Sequence, residues 1–253
     1  MVRKRALIFI ALCAISLAFS LKSKPVDQSG FALVELFTSE GCSSCPPADA
    51  LIAEIEKESK DKPVYILAYH VDYWDRLGWK DSFSDQRYSQ RQYQYANWLK
   101  LSGVYTPQIL VNGTQEFVGS EEKTLRTSIR SAIAEKSKNK LEISIQKQSG
   151  AVLTLTYHSD QSTQGYNLNV AFVTPHAINR IERGENKGKS LSHVQIVRTF
   201  ESIPLKGRKN GQINFSVVKG VLQVDAEPIG FLQNAETGKI TAATQLKIKA
   251  AHS

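Results

Sequence analysis

Two cysteines three residues apart, set between an apolar run and a proline-led helical pattern, constrain this 253-residue chain more than any other feature. Residues 31–37, Phe-Ala-Leu-Val-Glu-Leu-Phe, are almost continuously apolar, the signature of a strand buried on both faces. Gly41 and the Cys42-Ser43-Ser44-Cys45 turn follow, and residues 46–55 then read as a helix. Pro46 and Pro47 suit its first turn, where amides have no intrahelical partner, and Ala48, Leu51 and Ile55 share one face. Residues 63–71 form a second apolar run. Strand, helix and strand in that order imply a parallel pair.

The next segment is unusual. Residues 73–105 hold all three tryptophans (Trp74, Trp79, Trp98) and five tyrosines. From Ser82 it reads as helical, with Tyr88, Gln92, Tyr95 and Leu99 on one face and Arg87 and Arg91 beside them. Tyr105-Thr106-Pro107 leads into a short strand at 108–111, an Asn112-Gly113 turn and a partner at 115–118, a hairpin pattern. A helix is expected from Ser120 to about Lys138. After Lys140 the pattern changes to strict alternation, as in Leu141, Ile143 and Ile145, or Leu153, Leu155 and Tyr157. The reading is therefore α/β over residues 31–139, followed by an antiparallel β-rich, sandwich-like region over 140–253. Residues 183–189, glycine-rich and basic, read as a solvated loop.

The start of the chain bears on compartment. Arg3, Lys4 and Arg5 precede an apolar stretch to Phe19, and Ala18 and Ser20 occupy small-residue positions for cleavage. Residues 1–20 thus read as a signal peptide, with an exported, periplasmic or secreted product. Its removal leaves 29 Lys and Arg against 24 Asp and Glu, and only Cys42 and Cys45 of the three cysteines. That mild, dispersed basicity carries no arginine-rich arm for nucleic acid, and nothing beyond residue 20 is apolar enough to hold the chain in a membrane.

Three chemistries compete for the cysteine pair. A redox centre needs a thiolate that attacks a disulfide and a second thiol that resolves the mixed species. The start of a helix favours a thiolate at Cys42, expected to be reached by solvent, with Cys45 shielded as the resolving thiol. A structural staple gains little here: chain entropy gives ~1.9 kcal/mol for a four-residue loop against ~4.7 for a hundred-residue one. A zinc site lacks a second cysteine pair, although Cys42, Cys45 and His70 form an alternative metal set. No cofactor is expected.

The strand 33–37, the Cys-x-x-Cys turn and the Thr106-Pro107 dipeptide before a hairpin resemble the thioredoxin fold. More narrowly, the chain is similar to a family of secreted thioredoxin-like proteins described only as a domain of unknown function. The matching stretches run from Glu35 to Asp49, His70 to Asp75, Leu77 to Asp81, Val104 to Gln108 and Arg183 to Asn186. The cysteine chemistry points to a thiol–disulfide oxidoreductase acting on protein thiols or disulfides, and the resemblance supplies a fold rather than a settled activity. The resemblance implies a cis peptide before Pro107, set against the cysteines. It also implies that Glu35 is a buried proton acceptor for the resolving thiol. Tyr105, Thr106 and Trp74 would then contact substrate. The alternative is a non-enzymatic metal carrier or protein-interaction module.

Overall fold

The computed structural model describes residues 30–150, 152–216 and 227–246. The expected signal peptide and its cleavage point near Ser20 lie outside the described residues. Eleven strands and three helices appear among those that are described.

The first half follows the local patterns closely. β1 (Ala32–Thr38) leads through the cysteine turn into α1 (Pro46–Glu58), and β2 (Val64–His70) returns parallel to β1, with Thr38 opposite His70. A short 3-10 turn (Asp75–Leu77) precedes α2 (Gln86–Leu99), which starts on Asp85; its side chain accepts from the Arg87 amide, as a helix cap should. β3 (Gln108–Val111) and β4 (Gln115–Val118) form the expected hairpin, and α3 (Glu122–Ala134) follows. β3 lies antiparallel on β1.

Strand alternation sorts these elements into layers. Val34 and Leu36 face one way and pack with Leu51, Ile52 and Ile55 of α1 and Leu125 and Ile129 of α3. Leu33 and Phe37 face the other way, against Tyr88 and Tyr95 of α2.

The second half is divided between two sheets. Its strands are β5 (Leu141–Ser149), β6 (Val152–Ser159), β7 (Tyr166–Arg180), β8 (Ser190–Pro204), β9 (Asn210–Ser216), β10 (Glu227–Asn234) and β11 (Ile240–Gln245). Four of them extend the first sheet, giving eight strands in the order β11-β10-β7-β8-β2-β1-β3-β4. The junction is a parallel contact between β2 and β8 at Ala68 and Ile196. The other three, β5-β6-β9, make a second sheet. It packs on the distal part of the first, where Leu141, Leu153, Leu155 and Phe215 meet Leu168, Val170 and Phe172. The fold is mixed α/β. The sequence boundary at 139/140 falls between α3 and β5, and the large sheet continues across it.

β7 and β8 are each 15 residues, longer than their alternating patterns indicate. Their register shifts at Phe172/Val173, and Gln195 takes a positive φ of 51° nearby. Such a bulge bends a hairpin. Past it, β7 leaves β10 and pairs with β8 alone, projecting a tip at residues 181–189.

Candidate functional site

Cys42 and Cys45 are joined in a disulfide at the start of α1. Chain geometry explains the turn: Cys42 N donates to Ser39 O (3.1 Å), and Cys45 N donates to Cys42 O (3.3 Å). The intervening serines are exposed, but both cysteines have no exposed surface. The expectation that solvent reaches Cys42 is thus corrected: other parts of the chain cover it. The first turn of α1 also supplies fewer donors than a helix start usually does. Pro46 and Pro47 have no N–H, and the amides of Ala48 and Asp49 are spent on Cys45 O.

The hairpin entry lies against this turn. The Thr106–Pro107 peptide is cis. Ser44 Oγ stands 3.5 Å from Thr106 O and 3.4 Å from Cys42 Sγ, so the dipeptide and the disulfide are adjacent. Trp74 Nε1 donates to Thr106 Oγ1 at 2.8 Å and fixes that side chain. Tyr105 is partly exposed, with its hydroxyl on Glu116. The aromatic segment divides its labour: Tyr88 and Tyr95 are core, Trp74 bonds Thr106 beside the cysteine turn, and Tyr105 points its hydroxyl to β4.

Glu35 is elsewhere. It shares the face of Leu33 and Phe37, opposite α1, because a strand alternates. There it accepts from Arg91 Nε at 2.7 Å and from the Tyr95 hydroxyl. Arg91 and Tyr95 are in turn bonded to Gln233 of β10. The expected role behind the cysteines is therefore corrected to a buried ion pair that ties α2 to β1 and β10.

A different set of buried ionisable groups lies on the cysteine side. His70, at the end of β2, pairs through Nδ1 with Asp81 Oδ2 at 2.7 Å, and Asp81 also accepts from the Glu40 and Phe83 amides. His193 of β8 packs edge-on against His70, ring centres 4.7 Å apart. Its two nitrogens stand 3.5 Å from Asp49 Oδ1 and 3.7 Å from Glu40 Oε1, beyond good hydrogen-bond length. Asp49 lies one turn beyond Cys45 on the same helix face and accepts from Thr38 Oγ1. Burial opposes charge on His70, but Asp81, Asp49 and Glu40 outweigh it and hold the imidazole above its usual range. Burial likewise lifts Asp81, yet His70 and the two amides bring its carboxyl below the usual range. Burial and the neighbouring Asp81 push Glu40 up. His70 Nε2 and both His193 nitrogens have no hydrogen-bond partner.

The β7–β8 tip completes the site, where a solvated loop was expected. Asn186 is fully buried, and its Nδ2 donates to both Glu40 O and Cys42 O at 2.9 Å. Glu185 Oε2 accepts from the Ser43 amide at 3.1 Å. Asn179 Nδ2 donates to Glu40 Oε1, and Gly184 (φ 74°) sits beside Trp79, where a side chain would be strained. Periodicity carried no sign of this. The one sequence signal was the Arg183-Gly-Glu-Asn186 stretch within the family resemblance.

Among the described residues no three His, Cys, Asp or Glu side chains are grouped to hold a metal ion. The alternative set Cys42, Cys45 and His70 is therefore not assembled. No helix among the described residues is long and apolar enough to cross a membrane.

Comparison with known proteins agrees with the fold and leaves the chemistry open. Among curated proteins none matches the chain. A crystal structure of an Agrobacterium tumefaciens protein, determined as a structural-genomics target, is similar at 25% identity and a TM-score of 0.65. That match covers 88% of this chain and 96% of the other. A domain of the outer membrane lipoprotein Omp28 from Porphyromonas gingivalis aligns weakly, at 12% identity and a TM-score of 0.27, over 45% of this chain and 97% of the domain. The model of a family described as protein of unknown function, DUF1223, matches residues 33–233, and the chain belongs to that family.

Proposed function

We propose that the protein is an exported thiol–disulfide oxidoreductase whose N-terminal half is thioredoxin-like and whose centre is Cys42-Ser43-Ser44-Cys45. One observation carries this reading: the cysteine pair heads a helix directly beside Thr106–Pro107, where the chain enters the β3–β4 hairpin. In the reducing direction, the Cys42 thiolate attacks a substrate disulfide and expels one substrate thiolate. Cys45 then loses its proton and attacks the Cys42 sulfur, releasing the second substrate thiolate. The protein ends as the disulfide described above, and the substrate takes up two electrons and two protons. Asp49 is the carboxylate suited to accept the Cys45 proton, because it is buried one turn further along the same helix face. Pro107, Thr106, Tyr105 and Trp74 are the residues that would contact a substrate chain laid against the disulfide, of which Thr106 approaches the cysteine turn through Ser44. Export rests on the basic, apolar start of the sequence.

A second reading draws on the complete burial of both sulfurs. An interaction module with an inert disulfide would show the same burial. Trapping separates the two. Cys45→Ser should accumulate mixed disulfides with protein substrates, and Cys42→Ser should not. A glutathione titration with insulin reduction should show a cycling pair. No trapped species in either variant, with no insulin reduction, would favour the inert module. N-terminal sequencing of extracytoplasmic protein should begin near residue 21; full-length cytosolic material would remove the export reading.

A further inference from the structure

We infer that the β7–β8 tip is a working part of the redox centre: Asn186 pins the Cys42 loop, and Glu185 opposes a thiolate at Cys42. This deepens the oxidoreductase reading and rests on it.

The observations converge on a single spot. Ser43 and Ser44 are exposed, yet the cysteines on either side have no exposed surface. The tip supplies part of that cover, from residues more than 140 positions away in sequence. Asn186 bonds two successive parts of the loop, the carbonyls of Glu40 and Cys42, and is itself held by Lys189 Nζ at 2.9 Å. It is thus placed to hold the loop closed on the disulfide.

Glu185 acts through charge. A thiolate at a helix start normally draws on nearby amides. Here two of those amides are replaced by proline nitrogens, and the Ser43 amide is taken by Glu185. The same hydrogen bond holds Glu185 ionised, below its usual range, so the group beside Cys42 is an anion. An anion next to a sulfur disfavours the thiolate and hence the reduced pair. The disulfide is then the more stable state, and the centre is poised as a reductant rather than an oxidant. Changing Glu185 should move both properties together. Asn186 is a positioning residue for that charge.

The test uses the purified protein with Glu185→Gln, Glu185→Lys and Asn186→Ala. The Cys42 ionisation profile is read from alkylation rate against pH, and the disulfide equilibrium from glutathione titration. An exposed unit charge hydrogen-bonded to the residue next to Cys42 is worth roughly a three- to tenfold change in ionisation. Glu185→Gln should therefore make Cys42 roughly three- to tenfold more acidic. It should favour the reduced pair by roughly threefold, about 15 mV at 30 mV per tenfold. Glu185→Lys should go further in the same direction. Asn186→Ala keeps the carboxylate but frees the tip, and should reproduce the Gln shift while speeding reduction by dithiothreitol. Flat values across the two Glu185 variants, or the opposite order, would overturn the charge role. Should Asn186→Ala fold and leave both readings within twofold of the parent, the pinning role falls. Neither measurement requires turnover, so a protein that reduces no substrate would still show or lack these shifts.

Discussion

The two faces of the β1–β2 sheet each bury a carboxylate on or near β1, and they treat it in opposite ways. On the α2 face, Glu35 is saturated. Arg91 and Tyr95 hold its oxygens, Gln233 holds Arg91 and Tyr95, and the Arg91 guanidinium lies 4.6 Å from the Phe200 ring centre. On the α1 face, Asp49, Glu40, Asp81 and two histidines crowd together beside the cysteine loop, with three imidazole nitrogens lacking a hydrogen-bond partner and His193 only at long range from Asp49 and Glu40. Burial is equal, so burial alone does not distinguish structure from chemistry. What differs is the pairing: Glu35 is closed by a guanidinium that keeps its protons, although Tyr69 Oη and Asn169 Oδ1 beside that network have no hydrogen-bond partner, whereas the α1 face is open in pairing Asp81 with an imidazole, a group that can exchange one.

Breaking the closed face should give the largest effect. Arg91→Met leaves Glu35 as an uncompensated buried charge and should cost about 3–5 kcal/mol of stability in urea unfolding. The glutathione equilibrium of the surviving native protein should stay within twofold. A small loss of stability, or a shifted equilibrium, would erase the distinction between the faces.

The open face should instead lose rate. Asp49→Asn should slow the resolving attack of Cys45 roughly a hundredfold, about 2.7 kcal/mol in barrier. Glu35→Gln, measured where it remains folded, should leave that step unchanged. Equal slowing in both variants would return the proton-acceptor role to Glu35.

Gly119 probes the contact between the cis-proline and α1. A methyl there would meet Pro107 Cβ at 2.9 Å and Ala48 Cβ at 3.0 Å. Gly119→Ala should cost about 1–3 kcal/mol through forced repacking and lower insulin reduction as well. Unchanged activity would mean that Pro107 need not hold its place for the reaction.

The gentlest effect is on pH. His70 is raised, so its pairing contributes fully below the usual histidine range, about pH 6.5, and is lost as pH climbs through the raised value. Asp81 is lowered, so its contribution is present above about pH 3.9 and lost as pH falls through the lowered value. Glu40, raised, adds to the decline with rising pH. The pair should therefore stabilise most between about pH 4 and 6.5, with a slope for one proton of at most about 1.4 kcal/mol per pH unit. Urea midpoints against pH should show it, and His70→Asn should flatten the alkaline side. An identical slope in that variant would remove His70 from the account.

What the sequence determined by itself was local. The helix of α1 follows from two prolines and one apolar face, the β3–β4 hairpin from Asn112-Gly113, and β5 and β6 from alternation. Each rests on a period of 3.6 or 2 that a short window contains. The cysteine turn and the Thr106-Pro107 step were legible for the same reason, as short motifs. Only the tertiary structure decided the rest. Glu35 sits in a run apolar on both faces, so no alternation reported which side it takes. Nothing in β8 announces β2 as its neighbour, and its second-half pattern suits a separate sheet equally well. The short, alanine-rich β11 gave too weak a pattern to read. Above all, residues 183–189 are polar and glycine-rich, which locally means solvent. They are buried at Asn186 because a bulge 10 to 15 residues away sends the hairpin onto the cysteine loop. Hydrogen bonds between residues 142 to 144 positions apart leave no period in a sequence, and those bonds build the site.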